Sequence, residues 1–303
     1  MCIFHVPMPI GVMPEFIGPS SLESSVTRYW FDGAVGDRRF CKTCGCHIGD
    51  YVESLNMWYI APALLSKDES VFVLDEHIFT LSAPKGLYDW VPQIGSRPLK
   101  ITNPTDGTAD PEIPEVLRDS TGEERLLCKC HCGGVSFTIQ RPTTEILADQ
   151  KLKHFVSNGQ KLKWNAYLDG SHETRLSNGV HIGAWVSVTS SACEPMIGPE
   201  LQIGSAVKFA SSSGKIRSFC GVCGATLFRV RCLPDGSADR LIIDISLGIV
   251  RAPDGVRAGK WVAWGADEFE DIDQGLQYDK ELFTSLYDGF KTWVVSVEDG
   301  KDD

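Results

Sequence analysis

Apolar and polar residues alternate in short runs along most of this chain. Val135, Phe137 and Ile139 are separated by Ser136 and Thr138, the period of two expected of a half-buried strand. Residues 184–188 and 241–247 are dense in β-branched and aromatic side chains over strand-like lengths, as are 57–60, 71–74 and 225–230. One segment carries a helical period instead. From about Tyr278 to Val295, Leu282, Phe283, Leu286, Phe290 and Trp293 recur at steps of three and four, which predicts a helix packed on a sheet. The expected fold class is therefore mainly β, built from short antiparallel strands with a C-terminal helix. The acidic tail 298–303 is expected to fray into solvent.

Two stretches repeat. Arg38-Arg39-Phe40-Cys41-Lys42-Thr43-Cys44-Gly45 and Arg217-Ser218-Phe219-Cys220-Gly221-Val222-Cys223-Gly224 match at a constant offset, which suggests a duplicated unit. Between them, residues 102–114 are rich in Pro, Gly and Asp without periodicity and read as an exposed connection. The expected organisation is a first unit over 1–101, a linker over 102–125, a second unit over 126–297 and a tail over 298–303. Small β-rich units of this kind often need a staple.

Composition narrows the function. Hydrophobic residues make up 43% and charged residues 23%, the proportions of a globular chain rather than a disordered one. Twenty-nine basic against 40 acidic residues leave a net charge of −11, which argues against nucleic acid held by a general basic surface. No apolar run reaches the roughly 18 residues needed to span a membrane. The first nine residues lack a basic region followed by an unbroken apolar stretch, so no secretory signal is expected. Eleven cysteines, mostly in tight pairs, then point to a reducing, cytoplasmic setting and to metal rather than disulfides.

The strongest metal signal is Cys130-x-Cys132 with Cys220-x-x-Cys223, four thiolates of the kind zinc takes in a closed structural site. A redox disulfide or free thiols are the alternatives. A thioredoxin-like redox site needs a helix after the pair, and here a strand pattern follows. Cys128, Cys193 and Cys232 read as free thiols. In the first unit, Cys41 and Cys44 remain, with Cys46, His47, Cys2 and His5 as further candidate ligands or as unligated groups in a retained scaffold.

Cys130-His131-Cys132-Gly133-Gly134-Val135 followed at a distance by Phe219-Cys220-Gly221-Val222-Cys223-Gly224 resembles the glutathione-dependent formaldehyde-activating enzyme family. A looser likeness to fungal members continues through 243–248 and 251–257. The resemblance covers most of 126–295 and a shorter part of 20–100. It implies a β-tent fold, here duplicated, with a structural zinc on Cys130, Cys132, Cys220 and Cys223. The family also carries a Cys-x-Cys-x-x-Cys cluster that binds a second, catalytic zinc. The matching positions here are Asp169, Ser171 and Thr174, and no cysteine lies between Cys132 and Cys193. A three-thiolate catalytic zinc therefore cannot form in the family manner. The first unit, too short for its own Cys-x-Cys strand, reads as a half-module.

The altered stretch remains chemically dense. Asp169, His172 and Glu173 are candidate general acids or bases. Ser171, Thr174 and Arg175 could orient an oxygen-rich substrate, and Trp164, Tyr167 and Trp185 could wall a pocket. Solvated loop charges and core aromatics are the plainer alternatives, and an N/O metal set on Asp169, His172 and Glu173 matches no specific spacing. Three functions follow. The first is a small-molecule lyase or isomerase working by acid–base dehydration, elimination or cyclisation, suited to a fungal specialised-metabolite pathway. The second is carbon–sulfur lyase activity on a glutathione adduct through another ligand set. The third is a non-catalytic zinc scaffold or binding module. The expected partner is a small molecule, with no nucleic acid and no membrane. Exposed strand edges in the half-module leave room for a homodimer.

Overall fold

Strands need partners, and the alternating segments find them in three antiparallel systems. A computed structural model describes residues 4–13, 22–66, 72–103, 114–157, 159, 161–211, 214–232 and 241–298. Cys2, residues 104–113 of the expected linker and residues 299–303 of the tail lie outside them. Among the described residues the fold is mainly β, with a C-terminal helix. The first sheet runs Val6–Pro7, Met57–Ile60, His47–Val52, Asp37–Cys41, Val26–Tyr29. A second sheet is built on the pair Glu124–Lys129 and Ser136–Gln140. The largest sheet contains Lys163–Asp169, Gly183–Thr189, Ile242–Ser246, Thr226–Cys232, Ile216–Cys220 and Ala206–Ala210 in that order. Val262–Glu270 joins it parallel to Lys163–Asp169. No described helix is long and apolar enough to cross a membrane.

The sequence repeat is also a structural one. In both hairpins the strand before the cysteine knuckle slips register just ahead of the phenylalanine, between Arg39 and Phe40 and between Ser218 and Phe219. Cys41 N–H donates to the Cys46 carbonyl as Cys220 N–H does to Ala225, each at 2.9 Å. The knuckles also pack on each other reciprocally. Gly45 lies against the Phe219 ring and Gly224 against the Phe40 ring, and the two rings meet edge to face at 6.3 Å. Both glycines hold positive φ, +74° and +72°, so each combines a left-handed turn with space for the opposite ring.

Two departures from the sequence expectation have physical causes. Residues 72–74 form no strand. Phe72 and Leu74 are buried and Val73 is exposed, so the alternation is genuine, but among the described residues the segment finds no partner strand. The strand begins later, at Glu76–Ile78, and pairs in parallel with Lys100–Thr102. The C-terminal helix begins at Lys280 rather than near Tyr278, after a separate helix Ile272–Tyr278. The break is Asp279, whose carboxylate accepts the Leu282 N–H at 3.1 Å and caps the second helix.

The helix Lys280–Glu298 buries Leu282, Phe283, Leu286, Phe290 and Val294. Their partners are Trp90, Val91, Ile94 and Leu99 from the first unit, with Leu168, Ile182 and Phe269 from the second. Full burial of such a side chain stabilises by roughly 1.5–3 kcal/mol, so this core ties the C-terminal helix to residues 90–99 as well as to the large sheet.

Gly224→Ala places a methyl group inside the Phe40 ring at an unfavourable φ. Strain of about 1–2 kcal/mol plus overpacking of about 1–3 kcal/mol should lower unfolding free energy by about 3 kcal/mol. Gly33→Ala, at φ +82° with open space around it, should cost only the strain. Denaturant titration of both variants measures the difference.

Candidate metal centre and ligand pocket

The sulfurs of Cys130, Cys132, Cys220 and Cys223 lie within 4.8 Å of one another, and three of these residues are buried. Cys130 and Cys132 are 3.5 Å apart, Cys132 and Cys220 3.5 Å, Cys130 and Cys220 3.8 Å. A tetrahedral ion at a metal–sulfur distance of about 2.3 Å sets its ligands about 3.8 Å apart. The cluster could therefore hold a metal ion. Local backbone builds it. The turns Cys130–Val135 and Cys220–Ala225 direct N–H groups at sulfur: Val135 to Cys130 at 3.3 Å, Gly134 to Cys132 at 3.4 Å, Cys223 to Cys220 at 3.5 Å. Such donors offset thiolate charge. A side-chain hydrogen bond with Cys223, helped by Ser205, lowers the Cys220 thiol pKa against the effect of burial. The first unit covers the cluster, with Tyr29 OH 2.8 Å from His131 Nδ1 and Phe31 against the same ring at 4.2 Å.

Among the described residues, Cys41 and Cys44 form no equivalent centre. Among the described residues, the other tight group of metal-ligating side chains is His5, His47 and Asp50, which contains no cysteine. Burial is secondary at Cys41, whose thiol is pushed up chiefly by its hydrogen bond to Cys44.

The stretch expected to form an acid–base site is folded around an ion-pair network. Asp169 ends its strand fully buried. Its carboxylate accepts Thr174 OH at 2.6 Å and Ser171 N–H at 2.9 Å, and pairs with Arg229 at 2.6 Å. Ser171 caps the helix His172–Asn178 by accepting Thr174 N–H. Burial alone would raise the Asp169 carboxyl, but Arg229 and the two hydroxyl-bearing neighbours outweigh it and hold it below the usual range. Arg229 also pairs with Asp244 at 2.8 Å and Glu270 at 3.2 Å and donates to Tyr167 OH. Asp244 further accepts Tyr167 OH at 2.5 Å and Ser187 OH at 2.7 Å. Burial works against the Arg229 cation, yet Tyr167, Asp244 and Asp169 more than compensate and raise its pKa.

The remaining candidates separate. His172 is exposed, and its backbone N–H is held by Gln274 at 2.9 Å. Glu173 pairs with exposed Lys215 on one side and with buried Arg217 on the other, both at 3.4 Å. Arg175 reaches the Ala63 carbonyl and stacks on Tyr278 at 4.0 Å. Trp164 and Trp185 are core residues, with Trp164 donating to the Gln140 carbonyl and Trp185 under the Arg229 guanidinium. His172 and Arg175 do share an open groove of about 580 Å³ with Leu64, Ser66 and Tyr278.

A more enclosed space lies elsewhere, where residues 77–90 cross the large sheet. It measures about 90 Å³ and is walled by Tyr88, Trp90, Leu168, Ala184 and Trp264, with His77 among its lining residues. His77 Nε2 is 2.8 Å from the Val91 carbonyl. A carbonyl only accepts, so Nε2 carries the proton and, in the neutral ring, Nδ1 carries the lone pair. Lys85 and Arg257 also line the space, and Arg257 is held by Asp89 at 2.6 Å between Trp90 and Trp293. Sequence reasoning passed over His77, Arg229 and Asp244. The legible signal was a charged residue inside each of two apolar strands, since a buried charge requires a partner. No family model matches the chain, and no curated protein matches it.

Removing one partner of the buried pair strands the other charge. Asp169→Asn and Arg229→Met should each cost about 3–5 kcal/mol of unfolding free energy at neutral pH. Because the folded Asp169 pKa is depressed, its contribution is complete above the ordinary carboxylate value of about 3.9 and disappears as pH falls through the folded value. The stability gap between wild type and Asp169→Asn should thus be flat from pH 5 to 7 and close in stronger acid, as denaturant titration across pH can measure.

Proposed function

We propose that this chain is a small-molecule enzyme of the lyase or isomerase type, with its reacting site in the cavity beneath residues 77–90. The observation that carries this reading is His77. It lines a mainly apolar, half-open space, and its Nε2–H is anchored on a backbone carbonyl, which in the neutral ring leaves the lone pair on Nδ1. In this role Nδ1 takes a proton from a carbon acid. The electron pair then forms a double bond as a leaving group departs, or the proton returns at another carbon.

The lining sets the substrate class. Trp90, Trp264 and Tyr88 suit an apolar or aromatic group, and the space admits only a few heavy atoms. Lys85 and Arg257 suit a carboxylate or enolate oxygen on the same molecule. The substrate is a small aromatic or unsaturated carboxylic acid or ketone, partly outside the cavity.

The metal on Cys130, Cys132, Cys220 and Cys223 is zinc in this reading. Four thiolates suit it, and the resemblance to formaldehyde-activating enzymes points the same way. It has no open position and serves as a staple. Asp169, Ser171 and Thr174, where that family would place thiolates, satisfy one another and Arg229. The guanidinium there supplies positive charge that a catalytic ion would otherwise bring.

Ligand-observed NMR with a set of small aromatic carboxylates tests the cavity. Binding should occur in the wild type and vanish in Ala184→Trp, which fills it. For any binder that turns over, His77→Gln should lower kcat by about 10²–10⁴ with little change in affinity. Absence of binding and turnover across the set would favour a non-catalytic scaffold, binding indifferent to Ala184→Trp would place the ligand outside this cavity, and turnover indifferent to His77→Gln would remove His77 from the mechanism. Zinc content should be retained in both variants and lost in Cys132→Ser.

A further inference from the structure

We infer that His5, His47 and Asp50 form a second metal site, for a divalent transition ion held by two imidazoles and one carboxylate. The inference is independent of the cavity and of the cysteine centre. His5 Nε2 is 2.8 Å from His47 Nε2 and 3.5 Å from Asp50 Oδ2, and the three donor atoms all lie within 4.8 Å of one another. An ion at a metal–nitrogen distance of about 2.05 Å spaces its ligands about 2.9 Å apart at a right angle and about 3.4 Å apart at a tetrahedral angle. Both measured separations fall close to that range.

The strand architecture produces this convergence. His47 and Asp50 sit on the strand His47–Val52, next to the pairing strand Met57–Ile60. His5 immediately precedes Val6–Pro7, which pairs with that neighbour, Val6 with Ile60 and Pro7 with Tyr59, and Met8 N–H then donates to the Trp58 carbonyl at 2.8 Å. An ion joining His5 to His47 would tie this edge segment to the strand beyond its neighbour. Cys46 stays apart from the group, with its sulfur directed at the His47 carbonyl at 3.7 Å.

The donor set selects the ion. Two imidazoles and a carboxylate favour zinc, cobalt(II), nickel(II) or iron(II) over magnesium or calcium, and the lack of thiolate disfavours copper(I). Three protein ligands leave coordination positions open, unlike the four-cysteine centre. Side chains of His5 and Asp50 are 26% and 28% exposed, so the ion could exchange with solvent while His47 stays buried. Arg38 is close enough to act electrostatically on all three residues. Its charge opposes a bare cation and favours one carrying an anionic ligand, such as hydroxide or a carboxylate.

Cobalt(II) titration of the full-length, zinc-loaded protein tests the site, because cobalt reports its ligands by colour. One further equivalent should bind with weak d–d bands and no sulfur-to-cobalt charge transfer. His5→Gln and Asp50→Asn, both at partly exposed positions, should each weaken that binding at least tenfold while the cysteine-bound zinc is retained. Three results would overturn the inference: no cobalt uptake by the zinc-loaded protein, uptake with thiolate charge transfer from Cys41 and its neighbours, or wild-type affinity in both variants.

Discussion

The fold depends on bringing Cys130 and Cys132 against Cys220 and Cys223. The two pairs come from different sheets and lie far apart in sequence, and their sulfurs approach to between 3.5 and 3.8 Å. Four thiol groups that close cannot all ionise without a cation, so a metal ion and this geometry favour each other. Beside this cluster Gly224 and Phe219 pack on Phe40 and Gly45, a contact that joins the first sheet to the largest one. Tyr29 and Phe31 then lie over the cluster.

The large sheet carries a second constraint of opposite character. Ser187, Asp244 and Arg229 stand at paired positions on three adjacent strands, so one face of an otherwise apolar sheet bears a row of polar groups. Such groups tolerate burial only when each is paired. Tyr167, Asp169 and Glu270 complete the set. Asp169 is held in this set by three contacts, from Arg229 and Thr174 on one carboxylate oxygen and from the Ser171 N–H on the other.

The chemically open features lie between the two units. The His77 cavity is bounded by residues 77–90 on one side and by strands of the large sheet on the other. The groove beside His172 likewise joins Leu64–Ser66 to Arg175 and Tyr278. Strands and helices after residue 160 supply one wall of each space, and the segments 77–90 and 64–66 supply the other.

Several features were legible in the residues alone: the strand-dominated class, the apolar face of the terminal helix, the repeated knuckle and the four converging cysteines. Each follows from local chemistry, because period, turn residues and ligand spacing are written into short stretches. Four outcomes were decided by tertiary structure. Phe72 and Leu74 are buried without a strand because, among the described residues, no partner strand lies beside them. Asp169 is locked because Arg229 sits opposite. His77 faces a cavity because a segment from the first unit crosses the second. His5 meets His47 and Asp50 because a two-residue strand pairs at the sheet's edge. Pairing partners and cavity walls depend on contacts between residues distant in the chain, and no local pattern encodes those distances.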